Sequence, residues 1–451
     1  MFNLFRRSTC TFLLQNVRHY ETYTSVLKNG VRVAVEETIS PLVCLSLFIQ
    51  TGSRFETAEN NGISHFIEHM AFKGFVSMKK KQLEECLQSI GGHITARTTR
   101  EYQSFSALAP ARYSAQLVYI MSLIVTNIEF AHCDIQEVKK DIIMQLKDRE
   151  ASPEHVTFDY LHQAAFQETP LAYNVIAPLT NLENFDENEA CSFLKQRYHP
   201  ENIVLAASGG VAKMDIMSEA QKRLSHVVME PSSSGAYDAC RYTGSSLVLR
   251  DDSMPFAHVA VAVEVPGYED PDYWPLFAAS CILGVWERSQ GGGETNGFML
   301  SRAAASGLCE LYEPFYIAYR DIGLWAVYYV AERNVLDGLL HNVQHQWMTF
   351  CTSVTDVEVQ RGINYAKLKL SKEVEGCVRS CYDLGLQILY NCARASLSDK
   401  HKEMSLVNVD TIKRIGQKYI YDKCPVISAV GPTECLTDYS RIRSEMYWLR
   451  Y

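Results

Sequence analysis

The same order of segments occurs twice along this chain. A mainly apolar stretch, Leu42 to Gln50, leads into a polar, acid-bearing loop, Thr51 to Asn61. A segment with helical spacing follows, containing His65 to Phe72. Two hundred residues on, His258 to Val265, the loop Gly267 to Asp272 and the segment Tyr273 to Leu283 repeat that order. Apolar runs of this length read as buried strands, and apolar spacings of three and four read as helix. The chain is therefore read as α+β, in two similar halves of about 21–230 and 245–451 with a linker at 231–244. Glu230-Pro231-Ser232-Ser233-Ser234-Gly235 is the turn-rich core of that linker.

Within the first half, Val26-Leu27, Asn29-Gly30 and Val31 to Val35 read as a hairpin on an Asn-Gly turn. Helices are predicted over Lys79–Ile90, Ala115–Asn127 and Ile135 to about Lys147; in the second half, Ser246–Arg250 reads as a strand.

Residues 1–20 contain Arg6, Arg7 and Arg18, several hydroxyl residues and no acid before Glu21. That is the composition of a mitochondrial presequence. No stretch approaches the roughly 18 apolar residues that a membrane-spanning helix needs, so no span is predicted. The 43 basic residues against 52 acidic give a formal charge of −9, which argues against a nucleic-acid-binding surface. The 14 cysteines include no C-x-x-C pair and read as reduced thiols, mostly in the core.

His65-Phe66-Ile67-Glu68-His69 carries the chemistry. On a helix, His65 and His69 lie one turn apart on one face and can share a metal ion, with Glu68 beside them as a base. This is the H-x-x-E-H order of the inverted zincins. The matching segment of the second half, with Trp274, Leu276, Phe277 and Cys281, has no such pair, so any metal chemistry belongs to the first half.

With its surroundings the motif says more. Thr51-Gly52-Ser53-Arg54-Phe55-Glu56 through His65–His69 to Met70-Ala71-Phe72-Lys73-Gly74 resembles the pitrilysin-type metallopeptidases. Within them it is similar to the mitochondrial branch, which holds the β subunit of the processing peptidase and core protein 1 of the cytochrome bc1 complex. Gly91-Gly92-His93, Arg100-Glu101, Phe158-Asp159-Tyr160-Leu161-His162, Phe166 to Ala172, Trp286-Glu287-Arg288-Ser289 with Gly291-Gly292-Gly293, and Ile442 to Tyr451 extend the resemblance to nearly the full length. No Gly-Lys-Ser/Thr follows the glycine triplet, so it is not a phosphate loop. The resemblance implies two α/β-roll halves, each a mainly antiparallel sheet packed with helices, enclosing a cavity.

It also implies a third zinc ligand, a glutamate. Ile142-Ile143-Met144 and Phe158-Asp159-Tyr160 hold the register without a gap, and that position is Gln145, a weak replacement. A supporting glutamate of the family falls on Val138, and its Leu-Asn-Ala reads here Ile94-Thr95-Ala96. Of two acids that receive a substrate arginine, one falls on His155, with Glu154 adjacent, and the other is retained as Asp159. Zn2+ is expected to bind weakly if at all, with Glu68 a vestigial or general base.

The resemblance leaves two readings. The first is a non-catalytic, core 1-like subunit of the cytochrome bc1 complex, paired with a core 2-like partner and peripheral on the matrix side of the inner membrane. The second is a processing-peptidase β subunit, paired with an α subunit and cleaving presequence peptides.

Overall fold

The structure, a computed structural model, describes residues 22–227, 239–290, 300 and 304–447. The expected presequence, the centre of the linker, the glycine triplet and the last four residues lie outside the described residues.

The first sheet is built from β1 (Thr22–Val26), β2 (Arg32–Glu37), β3 (Leu42–Ile49), β4 (His93–Thr98), β5 (Gln103–Pro110) and β6 (Ile203–Gly209), in the order β1-β2-β6-β3-β5-β4. Only β2 and β6 run parallel. The second sheet comprises β7 (Ser246–Arg250), β8 (Ala257–Pro266), β9 (Trp286–Glu287), β10 (Leu311–Ala318), β11 (Ile322–Ala331) and β12 (Val426–Gly431). Its order is β9-β10-β11-β8-β12-β7, with β12 and β7 the parallel pair. Strands β2-β6-β3-β5-β4 thus follow the same path as β7-β12-β8-β11-β10. The repeat read from segment order is a repeat of topology.

Strand β3 shows why the central strands are apolar throughout. Val43, Leu45, Leu47 and Ile49 alternate onto one face and join the large core of the first half. That core includes residues of α1 (Ile63–Ala71), α2 (Lys80–Ile90), α3 (Ser114–Thr126) and α4 (His132–Glu150). Cys44 and Phe48 point to the opposite face, which is buried as well. A strand covered on both sides loses the apolar–polar alternation of a half-exposed one.

What covers that second face comes from the far end of the chain. Helix α7 (Gly376–Asn391) lies across β2, β3 and β6, with Cys381, Leu384, Ile388 and Leu389 against Ala34, Cys44, Phe48, Val204 and Ala206. In exchange, α5 (Pro153–Ala165) leaves the first half and packs on β8 and β12, where Leu161, Ala164 and Ala165 meet Ala260, Ala262 and Val426. Each sheet is completed by a helix from the other segment. Gly385 makes the approach of α7 possible: a Cβ there would stand 2.0 Å from the Phe48 ring. Between them, α6 (Tyr273–Leu283) follows β8 as α1 follows β3.

Polar contacts tie the halves together as well. The buried guanidinium of Arg54 binds Glu101 at 2.5 Å and Asp321 at 2.7 Å. Glu101 also accepts from Tyr390 Oη at 2.8 Å and from the backbone N–H of Arg320 at 3.1 Å. His162 of α5 accepts at Nε2 from Tyr319 Oη at 2.8 Å, while its Nδ1 donates to Phe158 O at 2.7 Å. The thiols are less uniformly internal than the sequence predicts. Cys44, Cys281, Cys309, Cys351 and Cys381 are buried, but Cys133, Cys392, Cys424 and Cys435 are exposed. No described helix is long and apolar enough to cross a membrane.

Candidate metal centre

Helix α1 divides its residues cleanly. Ile63, Phe66, Ile67, Met70 and Ala71 are buried in the core at helical spacing. His65, Glu68 and His69 occupy the other side, with the two imidazole centroids 4.7 Å apart. The start of the helix is held by a residue to which the sequence reading gave no role. Glu56, a buried carboxylate, accepts from the backbone N–H groups of Gly62 at 2.7 Å and Ser64 at 2.9 Å, and from Asn61 Nδ2 at 3.0 Å. It satisfies donors that a helix start leaves unpaired. Gly62 itself has φ +92, and a Cβ there would overlap Ala177. At the other end, Lys73 binds Glu137 at 2.8 Å and Asp141 at 3.0 Å, fixing α1 against α4.

That register brings Gln145 to His69. Gln145 Oε1 lies 3.2 Å from His69 Nε2. An amide oxygen only accepts, so Nε2 carries the proton and its lone pair is not free in this tautomer. His65 is nine-tenths buried, and its Nδ1 has no hydrogen-bond partner. Val138, two turns before Gln145 on α4, is fully buried in the apolar core and offers no acceptor. The pKa of His65 is lowered to about 3, first by burial, then by His69 and by the positive charge of Arg149. That of His69 is lowered too, chiefly by burial. Both rings are neutral near pH 7.

Glu68 sits in a polar chain that was not anticipated from sequence. Thr98 Oγ1 donates to Glu68 Oε2. Gln103 Nε2 stands 3.1 Å from Thr98 Oγ1, and Tyr198 Oη donates to Gln103 Oε1 at 2.7 Å. Burial raises the Glu68 pKa, and the Thr98 contacts oppose that rise. Thr98 faces α1, so the alternation of β4 puts the exposed Thr95 on the opposite face. Its departure from the family pattern therefore does not bear on this centre.

The two acids expected to receive a substrate arginine are not brought together. Five residues apart on α5, they project in different directions. Glu154 is exposed, and its charge is felt by His258 and Tyr328 of the second sheet. The neighbouring His155 is exposed. Asp159 is buried and already carries two guanidinium groups, those of Arg149 and Arg100. Burial pushes its pKa up, but the arginines hold it below the usual carboxylate range. It is not an open acid.

The donors assembled around α1 are two neutral imidazoles, one of them already bonded to an amide, and that amide's oxygen. Zinc sites use thiolate, imidazole and carboxylate ligands, and a guanidinium close to His65 opposes a dication. This set does not fit a resident zinc ion.

Two sheets on one strand path, joined by exchanged helices, with an H-x-x-E-H helix at one sheet, define a fold of the inverted-zincin metallopeptidase type. Family models agree. Insulinase (Peptidase family M16) matches residues 32–179, and the Peptidase M16 inactive domain matches 184–365. The chain is 37% identical over 450 residues to rat "Cytochrome b-c1 complex subunit 1, mitochondrial", covering 99% of this chain and 93% of that protein. It is 35% identical over 432 residues to human "Mitochondrial-processing peptidase subunit beta", covering 95% and 88%. Among solved structures, a chain of complex III2 from Candida albicans superposes with a TM-score of 0.84 at 23% identity, covering 94% of this chain and 99% of that one. A protease from Helicobacter pylori gives 0.82 at 15% identity, covering 91% and 100%. The chain belongs to peptidase family M16.

Proposed function

We infer that this chain serves as a core 1-like structural subunit of the mitochondrial cytochrome bc1 complex, and that its metal centre is vestigial. The observation that carries this reading is the His69–Gln145 pair, which puts an amide where hydrolysis would need a carboxylate ligand. The near-full-length similarity to cytochrome b-c1 complex subunit 1 supports it. So does the buried Nδ1 of His65, which has no hydrogen-bond partner, and so does the apolar Val138 where the family carries a supporting glutamate. On this reading the protein is mitochondrial, peripheral on the matrix side of the inner membrane, and paired with a core 2-like subunit. The intact His65, Glu68 and His69, with 35% identity to a processing-peptidase β subunit, favour the second reading, a presequence peptidase paired with an α subunit.

Native electrophoresis of solubilised mitochondria, with mass spectrometry of the band containing this chain, separates the two. Co-migration with cytochrome b and cytochrome c1 is expected. A small soluble heterodimer with a peptidase α subunit would overturn the structural reading.

A further inference from the structure

Three thiols meet where the two halves join. By the alternation of β3, Cys44, Ser46 and Phe48 share the face that α7 covers. Cys381 of α7 reaches onto that face, its Sγ 3.4 Å from Ser46 Oγ and 3.4 Å from Ala206 O. Cys44 Sγ lies 3.8 Å from the same Ser46 Oγ, and the two thiols hydrogen-bond to each other. One turn before Cys381 on α7, Cys377 packs against the same cluster and is partly exposed.

Their surroundings give the three sulfurs different chemistry. Cys44 and Cys381 are free and buried. The hydrogen bond from Cys381 holds the Cys44 thiol below its ordinary pKa, while burial pushes that of Cys381 well above. Cys44 is therefore the sulfur that ionises more readily, with Cys381 as its S–H donor. Buried thiols are ordinarily inert because no oxidant reaches them. Cys377 removes that barrier, since it borders solvent and lies close enough to feel the charge of Cys44.

We propose that Cys44 and Cys381 form a reversible disulfide that clasps α7 to the first sheet, and that Cys377 is the thiol through which a low-molecular-weight disulfide enters. The Cys377 thiolate attacks one sulfur of that oxidant, forming a mixed disulfide and releasing the first small thiolate. The Cys44 thiolate attacks the Cys377 sulfur and releases the second small thiol. Cys381 then attacks the Cys44 sulfur, its proton passing to the departing Cys377. In sum, two cysteine thiols are oxidised, one small disulfide is reduced, and the two protons end on the released small thiols. The ring so closed runs from position 44 to position 381, most of the chain, and restricts the unfolded state accordingly.

The test equilibrates the full chain, purified under reduction, in glutathione buffers of graded oxidised-to-reduced ratio. Free thiols are trapped by alkylation, and unreduced peptides are mapped by mass spectrometry. A link between the peptides carrying Cys44 and Cys381 is expected, and the oxidised protein should unfold at a higher urea concentration than the reduced one. Cys377→Ser should reach the same link roughly tenfold or more slowly, because access limits the exchange. Cys381→Ala should stop at the preceding Cys44–Cys377 link, and Cys44→Ala should form no link to α7. A folded parent that carries glutathione on exposed Cys133 and Cys435, yet no Cys44–Cys381 link, would overturn the proposal. So would a link that forms only in urea strong enough to unfold the chain. A Cys377→Ser variant that reacts at the parent's rate would overturn the entry role of Cys377.

Discussion

Gln145 Oε1 and His69 Nε2 stand 3.2 Å apart, and their hydrogen bond uses one of the two ring nitrogens that could hold a metal ion. The residue that replaces a ligand also occupies its neighbour.

Gln145→Glu tests this directly. A carboxylate there restores a charged oxygen ligand and favours the metal-bound form of His69. Zinc affinity, measured by competition with a chromophoric chelator, is expected to rise by roughly tenfold or more, about 1.4 kcal/mol. No gain over the parent would show that Gln145 is not the missing ligand. Because Arg149 and the unsupported His65 remain, peptidase activity is not expected to return with this single change.

Gly385→Ala probes the approach of α7 to β3. The added methyl would meet the Phe48 ring, which is rigid and fully buried. Overpacking of this kind costs about 1–3 kcal/mol. Urea denaturation should show the lower midpoint. An unchanged midpoint would mean that α7 can shift freely, against the close packing described above.

Arg54→Met removes the cation between Glu101 and Asp321. Glu101 is 1% exposed and would be left buried without its counter-charge. Burial already raises its pKa, and Arg54 is the main opposing influence. Breaking a buried pair from one side typically costs about 3–5 kcal/mol. Adding Glu101→Gln should recover part of that loss, and a double-mutant cycle with no coupling would refute the pairing.

His162 sets a pH dependence whose sign is fixed by burial. Its pKa is lowered to about 3, first by burial and then by Arg100. In the unfolded chain the same group titrates near the ordinary value of about 6.5. Below that pH the unfolded state binds a proton that the folded state refuses, so the contribution of His162 is intact above about 6.5 and falls as the solution is acidified towards 3. The stability advantage of the parent over His162→Gln should therefore shrink by up to about 1.4 kcal/mol per pH unit between pH 6.5 and 4. A constant difference across that range would show that His162 is protonated in the folded protein.

Local pattern made much of this molecule legible. The apolar run of β3, the Asn-Gly hairpin before it and the i, i+4 histidines of α1 each fall where spacing places them. The register of Gln145 followed from its neighbours Ile142 to Met144. What the sequence hid was long-range or depended on direction. Nothing near Leu384 or Ile388 announces that their partners are Phe48 and Val204, more than 150 residues away in the chain. Arg149 and Asp159 sit on consecutive helices, and only the corner between α4 and α5 turns them towards each other. Glu56 looks like one acid of a polar loop until the fold brings it under the first turn of α1. Thr95 stands out in sequence as a departure from the family's Leu-Asn-Ala, yet the strand's alternation puts it on the face opposite Thr98.

The exchange of α5 and α7 also sets an order of events during synthesis. When the ribosome has released the first sheet through β6, the face bearing Phe48, Val204 and Ala206 has no cover until residues 376–391 emerge. For more than 150 residues of elongation the nascent chain presents a sticky apolar surface, while α5 waits for strands not yet made. Such a chain calls for a chaperone through that interval. A premature stop before Gly376 yields a product with one sheet face left bare, marked for aggregation or degradation instead of surviving as a half-size protein.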